Sequence, residues 1–168
     1  MKRILFLAFV LTAFVLNVHA QGPKLGHINS AELIQMMPQT KQADSTLRRF
    51  AESLDGQMKT MTAEYQGKLQ TYQSKVDSMP EAIRTTKQQE LQDLGTRIQD
   101  FQQSAQESIQ KKKEELYSPI LQKAEDAIKE VAKEKAYSYI FDTSVGAVLY
   151  STDSDDILPL VKARLGIK

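Results

Sequence analysis

The chain has 168 residues, with 22 Lys and Arg against 21 Asp and Glu and a formal net charge of +1. It contains no Cys and no Trp, which excludes disulfides and thiolate zinc sites. A near-neutral balance also argues against a protein that seizes nucleic-acid phosphates through bulk charge.

Residues 1–20 read as a secretory signal peptide. Lys2 and Arg3 form the basic start, Ile4 to Leu16 is an apolar run interrupted only by Thr12, and Val18-His19-Ala20 places small residues around the cleavage point. The run is too short for a good transmembrane anchor, and no Cys follows it, which disfavours a lipid-anchored lipoprotein. The expected mature chain, residues 21–168, has 20 basic and 21 acidic side chains, a net of −1. It holds 17 Gln and no Pro between residues 39 and 79, a composition suited to long exposed helices.

Lys24 to Asn29 reads as a short strand, with Ser30 capping a helix over Ala31 to Met37 that Pro38 stops. Residues 39–136 are almost continuously helix-forming and break at Met79-Pro80. Strand chemistry returns at Tyr137 to Phe141 and at Ala147 to Tyr150, around a turn at Gly146. A closing helix capped by Asp155 or Asp156 follows, with Pro159 in its first turn. This divides the mature chain into residues 21–40 and 119–168, which form a body, and residues 41–118, which form an arm with its tip at 79–80.

The arm carries the clearest periodicity. Its first half places Leu47, Phe50, Leu54, Met58, Met61, Tyr65, Leu69, Tyr72 and Val76 at steps of three and four. Its second half places Leu91, Leu94, Ile98, Phe101, Ala105 and Ile109 likewise, with Leu116 and Ile120 continuing the series after a step of seven. Leu47, Met58 and Leu69 lie eleven apart, as do Ile98, Ile109, Ile120 and Val131. That period predicts nearly straight or gently right-handed arms. Facing positions in an antiparallel hairpin have a constant sum of residue numbers. Val76 with Ile83, Tyr65 with Leu94, Met61 with Ile98, Met58 with Phe101, Leu54 with Ala105 and Phe50 with Ile109 all sum to 159. Half of that sum falls between Met79 and Pro80, where the helix signal breaks independently. Residues 41–78 would span about 57 Å at ~1.5 Å per residue. A hairpin of that length buries one narrow stripe per helix, and a few short strands add little core. The remedy is oligomerisation through a sheet or barrel shared between chains.

Catalytic patterns are sparse. His27 is the one His of the expected mature chain and reads as structural, because no Cys or second His accompanies it. No Walker-type loop and no G-x-G-x-x-G occur. Asp153, Asp155 and Asp156 lack the Gly and the distal Glu of a calcium loop and read as helix caps. Lys111-Lys112-Lys113 is answered by Glu114-Glu115, and residues 41–117 hold 12 basic and 12 acidic side chains. No acid, base and nucleophile converge, which argues against an enzyme; no cofactor and no metal are expected. Met58, Met61, Tyr65, Tyr72 and Phe101 fall on the seam and read first as hairpin core, with edges free to face whatever the arms enclose, since Met is adaptable at promiscuous surfaces. Met79 reads as exposed at the tip. Gly56, Gly67 and Gly95 inside the arms read as points of flexibility.

The strand Lys24 to Asn29 with Ser30-Ala31-Glu32-Leu33-Ile34, the Gln-rich hairpin, and Tyr137-Ser138-Tyr139-Ile140-Phe141-Asp142 with Ala147-Val148-Leu149-Tyr150-Ser151 before an Asp-capped last helix resemble the Skp/OmpH family of periplasmic chaperones. The resemblance covers the mature chain and is sharpest over residues 118–165. It implies an α+β homotrimer shaped like a jellyfish, with a small β-barrel assembled from all three chains and three helical hairpins enclosing a cavity. It implies a soluble periplasmic holdase that needs no ATP and keeps unfolded outer-membrane β-barrel proteins apart. The cavity contacts would then be Met58, Met61, Tyr65, Tyr72 and Phe101, with Met79 at the rim. Better-known members are basic along the arms whereas these arms are neutral, so contact with lipopolysaccharide or acidic membranes is expected to be weak. The residues leave a second reading open: a coiled-coil adaptor or spacer of the cell envelope, docking through its tip.

Overall fold

The computed structural model describes residues 22–167; the leader expected over residues 1–20 lies outside the described residues. In chain order the elements are strand β1 (Leu25–Ile28), helix α1 (Ser30–Met36), helix α2 (Pro38–Lys75), a 3-10 turn (Val76–Ser78), helix α3 (Glu81–Glu134), strand β2 (Tyr139–Asp142), a second 3-10 turn (Asp153–Asp155) and helix α4 (Leu158–Leu165). The protein is mostly helical, with one small sheet.

β1 and β2 pair in parallel, with Leu25 opposite Tyr139 and Ile28 opposite Asp142. Parallel neighbours need a crossover of about a dozen residues or more. Here the crossover is the whole hairpin, with helices of 38 and 54 residues. The other edge of β1 is taken up by the chain ahead of α4, through a bridge from His27 to Asp156 and an N–H of Ile157 donated to the His27 carbonyl at 2.9 Å. Glycine is required at position 26: a Cβ there would lie 2.9 Å from Cε1 of Tyr137 and 3.0 Å from Cδ1 of Ile140. Lys24 Nζ stands 4.0 Å from the centre of the same Tyr137 ring and donates to the carbonyl of Lys135 at 2.9 Å, closing the junction between α3 and β2.

The core lies under this sheet. Ile120, Ala124, Ala127 and Val131 are buried along one face of the last turns of α3, at steps of four, three and four. Leu33 of α1, Met37, Ile28, and Ile157 with Val161 at the start of α4 close over that stripe. Each such large apolar side chain contributes about 1.5–3 kcal/mol on full burial. The two alanines leave room for α1 and α4 to come close.

The carboxylate of Asp142 ties the end of β2 to the start of α1. One oxygen accepts the backbone N–H of Ser30 at 3.2 Å and of Ser144 at 2.9 Å, and the other accepts the Ser30 hydroxyl. Burial alone would raise the pKa of this group, but the hydrogen bonds from Ser30 and Ser144 outweigh it and hold the carboxyl below its ordinary value.

Several expectations are corrected. The cap of α1 is Asn29, whose side chain accepts from Glu32 N at 3.1 Å; Ser30 is already helical because its hydroxyl is committed to Asp142. Pro38 opens α2 at its first turn, where its missing N–H costs no hydrogen bond. The second strand is Tyr139–Asp142 and not Tyr137–Phe141, since Tyr137 packs on Gly26. Residues 147–150 are not a strand. A strand needs a ladder partner, and both edges of β1 are occupied, while the Asp142–Ser144 turn and Gly146, at φ 71°, steer the chain away from the outer edge of β2. Neither Asp155 nor Asp156 is the cap of α4: Ile157 holds that position, and the Asp156 carboxylate accepts from Leu158 N at 2.8 Å.

Two measurements test this account. Gly26→Ala should lower stability by about 1–3 kcal/mol in urea unfolding, because the tyrosine and isoleucine must give way. The folded pKa of Asp142 lies below its unfolded value, so its stabilisation is complete above the ordinary carboxylate range and is lost as pH falls through the folded value. Stability followed by circular dichroism should decline below about pH 4, and Asp142→Asn should flatten part of that decline.

Candidate functional site

α2 alone would extend about 57 Å at ~1.5 Å per residue, and α3 runs back beside it and on into the body. Every first-arm seam residue, from Leu47 to Val76, is half-buried. On α3, Leu91 and Leu94 are buried, Ile98, Phe101, Ala105 and Ile109 are half-buried, and Ile83 near the tip is exposed. A two-helix seam closes on one side only, so apolar edges remain on both flanks.

The observed register agrees with the antiparallel pairing. Met61 and Phe101 share one recess, a Cβ on Gly95 would stand 3.8 Å from Cε2 of Tyr65, and Phe50 lies beside Ser108 and Lys111. At the base the Tyr117 hydroxyl donates to the Asp44 carboxylate. That bond, then burial, then the carboxylate's charge push the phenol pKa up. These pairs sum to between 158 and 162, against the expected 159.

Of the six sequence candidates, Met58, Met61, Tyr65, Tyr72 and Phe101 are all half-buried on the seam. Met61 and Phe101 are brought together, and Tyr65 crosses onto Gly95. Met79 corrects an expectation: it is half-buried. After α2 the chain tightens through Val76–Ser78, and Met79 donates its N–H to the Val76 carbonyl at 3.3 Å, so the chain turns tightly at the tip.

Charges along the arms pair locally. Lys59 meets Asp55 at 2.6 Å, Lys68 meets Glu64 at 3.1 Å, Lys87 meets Glu90 at 2.8 Å and Lys112 meets Glu115 at 3.0 Å. The Asp55 hydrogen bond and then its charge raise the pKa of Lys59, while the Lys87 hydrogen bond lowers that of Glu90. These exposed pairs contribute little stability, but they cancel the field that an unpaired row of lysines would project.

A second surface lies on the body. Tyr139 and Phe141 stack with ring centres 6.5 Å apart and remain largely exposed, at 62% and 48%. Beyond them Leu149 and Tyr150 are 97% and 84% exposed. Residues 147–151 and β1 bound a groove of about 530 Å³ whose walls include Leu25, Phe141 and Tyr150. The sequence marked residues 147–150 as apolar and strand-like, but exposure on this scale is a property of the packing. His27 Nε2 lies 3.0 Å from the Thr152 carbonyl and pins this loop. Among the described residues no group of three or more His, Cys, Asp or Glu is placed to hold a metal ion, and no helix is long and apolar enough to cross a membrane.

A long helical hairpin carried on a small two-stranded body defines the class. Residues 24–165 match the sequence model of the family described as outer membrane protein (OmpH-like), and the chain belongs to that family. No curated protein matches it. Among solved structures it is similar to a provisionally designated OmpH-like outer membrane chaperone from Caulobacter crescentus CB15. That similarity has a TM-score of 0.74 and 17% identity, covering 88% of this chain and 90% of that one. At that identity the likeness establishes the fold.

Nothing in the packing requires the arm glycines: Gly56 and Gly67 face open space, and the contact at Gly95 is an ordinary van der Waals distance. Gly67→Ala and Gly95→Ala should each raise stability by about 1 kcal/mol in urea unfolding. A loss of stability at either site would show that the glycine meets a need of the backbone.

Proposed function

We propose that the protein is an ATP-independent holdase of the periplasm that shelters unfolded outer-membrane β-barrel proteins between helical arms, acting as a homotrimer. The observation that carries this reading is a hairpin whose seam is half-buried along its whole first arm, mounted on a body with an uncovered apolar face. Family membership and the name of the structural neighbour support a chaperone role.

The physics is as follows. A two-stranded sheet is marginal alone, and Leu25, Tyr139, Phe141, Leu149 and Tyr150 are apolar surface that a second and third copy would bury. Residues 147–150 would find in a neighbour the ladder partner they lack within the chain, and the strands of several copies would close into a barrel without free edges. Arms projecting from such a body would enclose a space lined by seam edges, where Met58, Met61, Tyr65, Tyr72 and Phe101 offer weak, adaptable contacts and Met79 lies at the rim. Many weak contacts hold a client while leaving it mobile, and release requires only that insertion into a membrane be more favourable than being held. Neutral arms predict little attraction to lipopolysaccharide or acidic lipid.

The test is a titration without nucleotide. A urea-unfolded outer-membrane β-barrel protein is diluted into residues 21–168 while light scattering is followed. Suppression should saturate at three chains, or a small multiple of three, per client. Leu149→Lys with Tyr150→Lys should dissociate the oligomer in light-scattering mass measurements and abolish holding together with it. Absence of suppression by a folded oligomer would favour the envelope adaptor docking through its tip.

A further inference from the structure

We infer that the arm thioethers of Met58, Met61 and Met79 are oxygen-accepting modification sites, and that their conversion to sulfoxides by a peroxide weakens the hold on clients; this rests on the holdase reading above. The chain has no Cys and no Trp, so its methionine thioethers are the softest nucleophiles that a two-electron oxidant meets. The reaction transfers one oxygen atom. The sulfur lone pair attacks a peroxide oxygen, and an S–O bond forms as the O–O bond breaks. With hydrogen peroxide the other oxygen leaves as water. The sulfur is oxidised by two electrons and the peroxide is reduced by two.

Five of the six methionines lie among the described residues, and the fold sorts them. Met37 is sealed in the body core, at 1% exposure. Met36, one residue away, is exposed at the end of α1. Met58, Met61 and Met79 are half-buried, two on the first arm and one at its tip. An oxidant therefore reaches the arm without first unfolding the body, and the thioether whose oxidation would disrupt the core is the one the fold shields.

Met61 shows what the product meets. It shares an open recess with Phe101 of α3, rimmed by Ser53, Gln57 and Thr60. A thioether is a weak acceptor, whereas a sulfoxide is polar and accepts hydrogen bonds well. The Thr60 hydroxyl is already donated to the Gly56 carbonyl at 3.0 Å, which leaves the Ser53 hydroxyl, the Gln57 amide and water for the new oxygen. Oxidation thus costs the folded hairpin little. It costs client binding more, because an apolar edge beside Phe101 becomes a group that must lose water before an apolar side chain can lie against it. Half-burial on the seam gives both properties. A sealed methionine would take the arm's packing with it, and a fully exposed one would have little contact to lose.

The experiment treats residues 21–168 with hydrogen peroxide and maps the products by peptide mass spectrometry. Met36 and the three arm methionines should gain one oxygen each before Met37 does. Binding of a labelled, urea-unfolded outer-membrane β-barrel protein is then measured by fluorescence anisotropy before and after treatment. Treatment should weaken binding about fivefold, with helicity and oligomer mass unchanged, and a methionine sulfoxide reductase should restore it. Met36→Leu should keep that sensitivity. Combined Met58→Leu, Met61→Leu and Met79→Leu should hold the change on treatment within about twofold. Undiminished binding by the treated parent would overturn the inference, and so would full sensitivity in the triple variant. Oxidation of Met37 together with the others, or a loss of oligomer mass, would assign the effect to unfolding and overturn it too. A parent protein that binds no client before treatment would instead defeat the holdase reading itself.

Discussion

The parallel pairing of Leu25–Ile28 with Tyr139–Asp142 is the constraint on which the rest of the molecule depends. It obliges the chain to leave the sheet, travel out and return on the same side, and a hairpin of two long helices meets that demand. Closing so large a loop is entropically costly, and the pair itself has only four residues per strand. The closure therefore has to be secured by what surrounds it: the Asp142 carboxylate gripping Ser30 and Ser144, Tyr137 lying against Gly26, and the buried stripe of α3 packed under α1 and α4. The base is dense so that the arms can be sparse.

Sparse packing of the arms is the second consequence. Two helices in contact share one stripe, so most of their apolar residues remain half-buried along the seam, with Leu91 and Leu94 buried and Ile83 exposed near the tip. Local ion pairs and glutamine keep the outer faces soluble without giving them a field. The packing of that single stripe, summed over the length of the helices, maintains such an element. That leaves it with surface to offer and with stretches, around Gly56 and Gly67, where the side-chain cover is thin.

Much of this was legible in the sequence. The steps of three and four from Leu47 to Val76, the matching series on the return helix and the break at Met79-Pro80 lie in local periodicity, and local periodicity is what a helix reads out. The register followed from the same positions. The two body strands were legible in type but not in extent, because their ends depend on who pairs with whom. Tyr137 looks as strand-like as Tyr139, yet it packs on Gly26 and stays out of the ladder. Ala147 to Tyr150 has the same apolar character and no partner within the chain. Asn29 displaced Ser30 as helix cap because Asp142, 112 residues away, claims the Ser30 hydroxyl.

The candidate site divides along the same line. That Met61 and Phe101 lie on facing stripes was decided by spacing. That they share a recess depends on which side chains lean across the gap between two helices. Likewise the sequence by itself determined that the chain forms a long, neutral helical hairpin with its turn at Met79-Pro80, since these features rest on contacts between residues three, four or eleven apart and on a sum of charges. Only the tertiary structure decided that the strands pair in parallel, that Met79 is half-buried and that Leu149 and Tyr150 stand uncovered. Those outcomes are set by contacts between distant segments, and no local pattern encodes them.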